Sequence, residues 1–296
     1  MTGWLVVNAF YKTSKLNDIY GFFTRSFAQH GVQIRIVGGD ELVCPAGTPL
    51  SKAFTLPDFV IFWDKDIVLA ERITDCGIPV FNSPRAIQLC DNKILTATAL
   101  AGILPTPDTI IAPKTFEGIG YCGNLAFLDK AAQTLGYPLV IKEAYGSFGK
   151  QVYLAHNREE ACEIIAKIGW KEFVIQRFVA TSCGRDVRIN VVGNTAVCAI
   201  LRSNDHDFRS NISNGGTAAP YDPTEKQCRV AVYASRALGL DFAGVDILFG
   251  DNDEPVVCEV NSNPHFKSTY DCTGVDLSRH IADYVMQQLN DAKLPM

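Results

Sequence analysis

The stretch CEVNSNP, from Cys258 to Pro264, closes a run of apolar residues and aims two polar side chains the same way. Val257, Glu259 and Asn261 alternate with Cys258, Val260 and Ser262. That period of two reads as a strand with Glu259 and Asn261 on one face. A buried carboxylate without a partner is costly. The residues just upstream supply one. "AGVDILFGDNDEPVVCEVN" (243–261) reads as a hairpin with "GDNDEP" as its loop. With Phe249 opposite Val256, antiparallel counting places Asp246 opposite Glu259. Opposed like charges destabilise a ladder. Asp246, Glu259 and Asn261 offer only hard oxygen ligands, which suit Mg²⁺ or Mn²⁺. Mg²⁺ takes one or two protein carboxylates and completes its shell from phosphates and water. The metal reading therefore implies a nucleotide. The competing reading pairs the carboxylates with arginines in a structural network; the opposed pair with Asn261 favours the metal.

A phosphate needs cations and backbone donors. "PLVIKEAYGSFGKQ" (138–151) places Lys142 at a strand end, followed by Gly146, Ser147 and Gly149. Glycines let N–H groups approach phosphate oxygens. The pattern is not a P-loop, and a glycine turn between strands is commonplace. "HDFRSNISNGG" (206–216) adds Arg209, Ser210, Asn211 and two glycines. Asp186 and Arg188 alternate onto one face of "GRDVRIN". Arg188, Arg202 and Arg209 around a carboxylate site suggest anion handling.

The rest of the chain frames these segments. Its 296 residues, net charge of -5 and 47% hydrophobic content allow two or three subdomains. The mild acidity argues against nucleic acid and anionic membranes as partners. The ten cysteines form no CxxC pair, so zinc knuckles and dithiol redox motifs are not expected. Most lie in apolar runs and read as small buried hydrophobes. With no leader and no span-length apolar run, a soluble cytoplasmic protein is expected. Residues 1–90 alternate strand and helix patterns, as in a small parallel-sheet α/β domain without a GxGxxG turn. "SPRAIQLCDNKILTATALAGILPTP" is a helix-rich connector. Beyond it, "VYLA" and "EFVIQRFV" read as strands, "GRDVRINVVGNTAVCAILR" as a hairpin about Gly193-Asn194, and "TGVDLSRHIADYVMQQL" as a closing helix.

Taken in order, these segments resemble the ATP-grasp superfamily, and within it the RimK-like carboxylate–amine ligases. "AIQLCDNKILTATALAGILPTPDT" resembles the helix with an ATP-contacting lysine, here Lys93. "GYPLVIKEAYGSFGKQV" resembles the strand lysine and the loop that folds over phosphates, with Lys142, Ser147 and Gly149. "VIQRFV" resembles the hinge that holds adenine, with Gln176, Arg177 and Phe178. "FRSN…GG" and "EVNSNP" are the specific matches. Three positions depart: Gln151 replaces a common loop glycine, Arg177 an acidic hinge residue, and His265 a common glycine. The resemblance implies an α/β ATP-grasp fold, α+β in its C-terminal part. It divides the chain into an N-terminal domain (1–90), a central subdomain (91–178) and a C-terminal subdomain (179–296). It also implies a reaction in which MgATP converts a substrate carboxylate to an acyl phosphate that an amine displaces. Asp246, Glu259 and Asn261 would hold Mg²⁺ or Mn²⁺. Lys93 and Lys142 would neutralise phosphates, and Arg188 and Arg209 would stabilise the transferring group. Ser210 and Asn211 would contact the nucleotide, and Asp186 would serve ribose, metal or amine. The partners implied are a small-molecule or peptide carboxylate and an amino acid, glutamate first, in a homo-oligomer such as a dimer or tetramer. Rival readings are a nucleotide-binding protein without ligase activity and a D-alanine–D-alanine-type ligase.

Overall fold

The computed structural model describes residues 1–121 and 123–292; Cys122 lies outside the described residues. The N-terminal strands β1 (Thr2–Val7), β2 (Gln33–Gly38), β3 (Phe59–Trp63) and β4 (Val80–Phe81) form a parallel sheet in the order β2-β1-β3-β4. β3 is buried along its whole length, as expected where helices cover both faces of a parallel sheet. The helix Ser14–Ala28 starts at Thr13, whose hydroxyl accepts the Leu16 N–H, and buries Ile19, Phe23 and Phe27.

The connector is two helices, not one. Asn92 ends Pro84–Asp91 and caps Lys93–Leu100 through its side chain, which accepts the Ile94 and Leu95 N–H groups. That break makes Lys93 the first residue of a helix.

Two antiparallel sheets follow. β5 (Thr109–Ile111), β6 (Leu139–Glu143), β7 (Val152–Ala155) and β8 (Phe173–Arg177) form the central sheet, in the order β5-β8-β6-β7. β9 (Arg185–Val192), β10 (Thr195–Ser203), β11 (Thr217–Pro220), β12 (Phe242–Phe249) and β13 (Pro255–Asn261) form the C-terminal sheet, in the order β11-β10-β9-β12-β13. The Gly193-Asn194 hairpin is present between β9 and β10. The short strands β5 and β11 and the helix Lys267–Thr273 carry no period long enough to read from sequence, whereas the helix Ala126–Leu135, which buries Leu128, Ala131 and Leu135 at helical spacing, is one the sequence reading misses.

The closing helix, Leu277–Asp291, packs Leu277, Ile281 and Val285 into the N-terminal core beside Phe23 and Phe59. Phe242 and Val192 of the C-terminal sheet enter the same core. The chain's end thus ties its beginning to the sheet that carries the acidic residues. Among the described residues no helix is long and apolar enough to cross a membrane. The nine described cysteines are free. Among them only Cys90 is buried, which departs from the expectation that most are core residues.

Candidate active site

One cleft is lined by residues of the central and C-terminal sheets and of the loops between them. Lys93, Lys142, Ser147, Gly149, Gln176, Arg177, Phe178, Asp186, Arg209, Ser210, Asn211, Asp246 and Glu259 all line it. Of the candidates, Arg188 and Asn261 do not line it. Arg188 reaches it through Asp246, and Asn261 sits beside Gly244, donating to its carbonyl at 3.3 Å. Pro107, Val140, Val179 and Leu248 add apolar surface.

Asp246 does face Glu259 in the ladder, but by a different route. Phe249 pairs with Pro255 rather than Val256, leaving Gly250–Glu254 as the loop. The register then shifts between Ile247 and Asp246, making Cys258 the extra residue of a β-bulge. The bulge breaks the expected alternation. Val257 turns into the core at 2% exposure, and its N–H donates to the Pro105 carbonyl at 2.8 Å. Cys258 and Glu259 both line the cleft.

Four charges interlock on the C-terminal sheet. Arg188 forks onto Asp246 through Nε and Nη2, both at 2.6 Å. Arg202 Nη2 reaches Asp246 at 2.9 Å, and Arg202 also forks onto Asp186 at 2.7 and 2.5 Å. Strand pairing forces this meeting, because Asp186 is opposite Arg202, and Arg188 opposite Asp246. Burial alone would raise the Asp246 carboxyl; the two arginines outweigh it and hold its pKa below the usual range. Burial likewise opposes the Arg202 charge, and the two carboxylates overcome it. The arginine network is thus real for Asp246, yet among the described residues no arginine pairs with Glu259. The Glu259 side chain is 34% exposed and lies 3.7 Å from Lys93. The described residues contain no group of three or more His, Cys, Asp or Glu side chains able to hold a metal. Asp246, Glu259 and the Asn261 carboxamide oxygen are hard-oxygen donors, the type Mg²⁺ takes from protein when phosphate and water complete its shell.

The central-sheet side differs. Lys142 is 9% exposed and contacts the Cys258 sulfur at 3.6 Å. Among the described residues no carboxylate lies within ion-pair distance of it. Lys93 Nζ donates to the Gly146 carbonyl at 3.3 Å, and its backbone N–H to the Ala144 carbonyl at 2.9 Å, so the helix start is stitched to the base of the glycine loop. In that loop Gly149 has φ +70°. A Cβ there would come within 2.7 Å of Asn211 Oδ1 and 2.9 Å of Asn214 Nδ2. Gln151 folds back on Gly146, its Oε1 buried without a hydrogen-bond partner among the described residues.

Arg177 is part of the cleft lining at the end of β8. Its side chain leaves the cleft, donating to Asp108 at 2.9 Å and to the Leu135 carbonyl at 2.7 Å. Gln176 is held by Thr109 at 2.9 Å. The His265 ring lies 5.5 Å from that of Phe148 of the loop, tilted by 51°, and Phe148 lies 6.3 Å from Tyr11. Burial first, then Arg188, Lys65 and Lys15, push the His265 pKa down to about 4. Two further residues of the site escape sequence reasoning: Cys258, and Asp207, which holds Arg209 (Nη2 to Oδ2 2.6 Å). The bulge hides the first. An Asp two residues before an Arg is too common a pattern to flag the second.

The RimK-like ATP-grasp domain matches residues 91–285. The chain belongs to that family. It is 34% identical over 278 residues to human N-acetylaspartylglutamate synthase A, spanning 90% of this chain and 68% of that protein. It is also 34% identical over 262 residues to zebrafish (Danio rerio) β-citrylglutamate synthase B, spanning 87% of this chain and 62% of the relative. The RimK domain ATP-grasp protein of Sphaerobacter thermophilus superposes with a TM-score of 0.72 at 20% identity, over 96% of this chain and 99% of that one. At that identity the likeness establishes the fold. Membership places the chain among the ATP-grasp ligases.

Proposed function

We propose that this ligase joins the amine of an amino acid to a carboxylate through an acyl phosphate. The observation that carries the reading is Lys142, a buried ammonium with no carboxylate partner among the described residues. An uncompensated buried charge costs several kcal/mol, so such a site is built for an anion that arrives. Lys93 stands at a helix N-terminus beside it, where the helix dipole also favours negative charge. Pro107, Val140 and Leu248 suit a nucleobase, and the loop Gly146–Gln151 suits a cover over phosphates.

In this mechanism Lys93 and Lys142 bind and orient the ATP phosphates. Asp246, Glu259 and Asn261 would hold Mg²⁺ or Mn²⁺, which would supply neutralisation of phosphate charge. Arg188 and Arg202 fix the Asp246 carboxylate, and Arg209 stabilises charge on the transferring phosphoryl group. A carboxylate oxygen attacks the γ-phosphorus and ADP leaves. The amine then attacks the acyl carbon, giving an amide, phosphate and one proton. Closure of the glycine loop excludes water from the acyl phosphate.

The two relatives' names describe products that contain glutamate. Glutamate is therefore the amino acid proposed, and a small carboxylate the acceptor. The test is incubation with ATP, Mg²⁺, glutamate and a panel of small carboxylates. Phosphate release should depend on the acceptor, and a product should appear heavier than it by glutamate less one water. Phosphate release that ignores every acceptor would contradict the reading.

A further inference from the structure

Arg209 is already occupied. Its backbone N–H and Nε donate to Asp207 Oδ1 at 2.8 and 3.0 Å, and Nη2 donates to Asp207 Oδ2 at 2.6 Å. Nη1 turns the other way and donates to two carbonyls of the glycine loop and its exit, Gly149 at 2.6 Å and Val152 at 3.3 Å. A guanidinium has five N–H donors. These bonds leave one Nη2 N–H without a partner among the described residues, and Arg209 lines the cleft.

The loop meets this segment at close quarters. Asn214 Nδ2 and Ser213 Oγ both donate to the Phe148 carbonyl at 3.4 Å. A Cβ at Gly149 would also lie 3.4 Å from Arg209 Cδ. The fork on Asp207 fixes the plane of the guanidinium, because bidentate pairing removes its freedom to rotate. With the plane fixed, Nη1 points at the loop while the remaining Nη2 donor stays available. The hydrogen bond to Arg209 also holds the Asp207 carboxyl below its usual pKa, so it is charged across the neutral range.

We propose that Asp207 is a positioning residue that sets Arg209 to hold the glycine loop and the transferring phosphoryl group at once. Loop closure and phosphoryl transfer then depend on one side chain whose orientation a neighbouring carboxylate dictates. An open loop removes the carbonyl partners of Nη1 and leaves Arg209 held by Asp207 alone. A closed loop with Asp207 in place presents it in one pose. This inference rests on the ligase reading only for the phosphoryl half; the hold on the loop stands on geometry alone.

The test compares the parent with Asp207→Asn and Asp207→Glu. Hydrogen exchange of residues 146–152 is measured with and without Mg²⁺ and a non-hydrolysable ATP analogue, alongside steady-state ATP turnover. Asp207→Asn should lose roughly fivefold or more of the loop's protection while β9 and β12 exchange as in the parent. Its kcat should fall about 10-fold with the KM for ATP changed less than about threefold, and Asp207→Glu should recover part of both. Parental loop protection in Asp207→Asn would overturn the proposal. So would protection lost equally across β9 and β12, which would make Asp207 a general structural residue. A parent without acceptor-dependent turnover would fail the ligase reading instead, and the exchange arm would still decide whether Asp207 holds the loop.

Discussion

Two buried cations face the same cleft from opposite sheets and could hardly be less alike. Arg202, on the C-terminal sheet, is 4% exposed, pairs with two carboxylates, and shares one of them, Asp246, with Arg188. Lys142, on the central sheet, is nearly as buried, and among the described residues its ammonium contacts the Cys258 thiol and pairs with no carboxylate. One side is internally neutralised and geometrically fixed, since planar guanidinium forks match carboxylates two bonds at a time. The other carries compact point charges with donors to spare. The difference separates an organiser from a receptor under the function proposed above: the arginine network holds Asp186 and Asp246 still, and Lys142 would receive the ligand's charge.

The comparison breaks most visibly if the two cations are each replaced by a methionine. Arg202→Met leaves Asp186 buried without its cation and should cost roughly 3–5 kcal/mol of stability, measured by urea unfolding. Lys142→Met should do the reverse. Stability should hold or rise, while kcat/KM for ATP falls about 10²-fold, or roughly 3 kcal/mol. Equal destabilisation by both variants would erase the distinction.

Asp241 sharpens the contrast from the carboxylate side. It lies near Asp246 in sequence but has no cation among the described residues, and burial pushes its pKa up to about 6 against the small opposing effect of a Tyr284 hydrogen bond. A carboxyl raised in the folded state contributes stability that is present below its unfolded pKa and lost as pH rises through about 6. Asp241→Asn keeps an acceptor for Tyr284. It should gain stability over the parent between about pH 4 and 7, by on the order of 2 kcal/mol. A gain that does not change with pH would contradict the assignment. The smallest effect is expected at Gln151→Gly, where the loop loses the side chain that packs on Gly146. Wasted ATP hydrolysis relative to ligation should rise a few-fold, read as phosphate released per amide formed.

Much of this is legible in the sequence, for identifiable reasons. β1 and β12 are apolar runs of strand length, β9 alternates with a period of two, and the closing helix keeps a period of 3.6, so those elements can be read directly. The Asp246–Glu259 pairing follows from counting back from an assumed turn. The true turn lies one residue away, and the bulge at Cys258 restores the count. The bulge and the outward turn of Arg177 depend on tertiary contacts with Pro105 and Asp108, which lie far away in sequence, whereas the Asn92 break is a local cap that the sequence reading misses. The arginine network loses to the metal reading at the level of sequence, because only strand registry decides which arginine meets which carboxylate. His265 stands out in the sequence as a departure, but its cationic surroundings come from three separate segments.

The central claim is that the cleft makes an acyl phosphate, and the fate of one oxygen atom tests it most directly. An acceptor whose carboxylate carries ¹⁸O is turned over with ATP, Mg²⁺ and glutamate, and the released phosphate is weighed by mass spectrometry. The attacking carboxylate oxygen should leave with the phosphate, placing one ¹⁸O in each phosphate released per amide formed. Unlabelled phosphate accompanying amide formation would show that the carboxylate never attacked the γ-phosphorus, and the mechanism drawn from this cleft would be wrong.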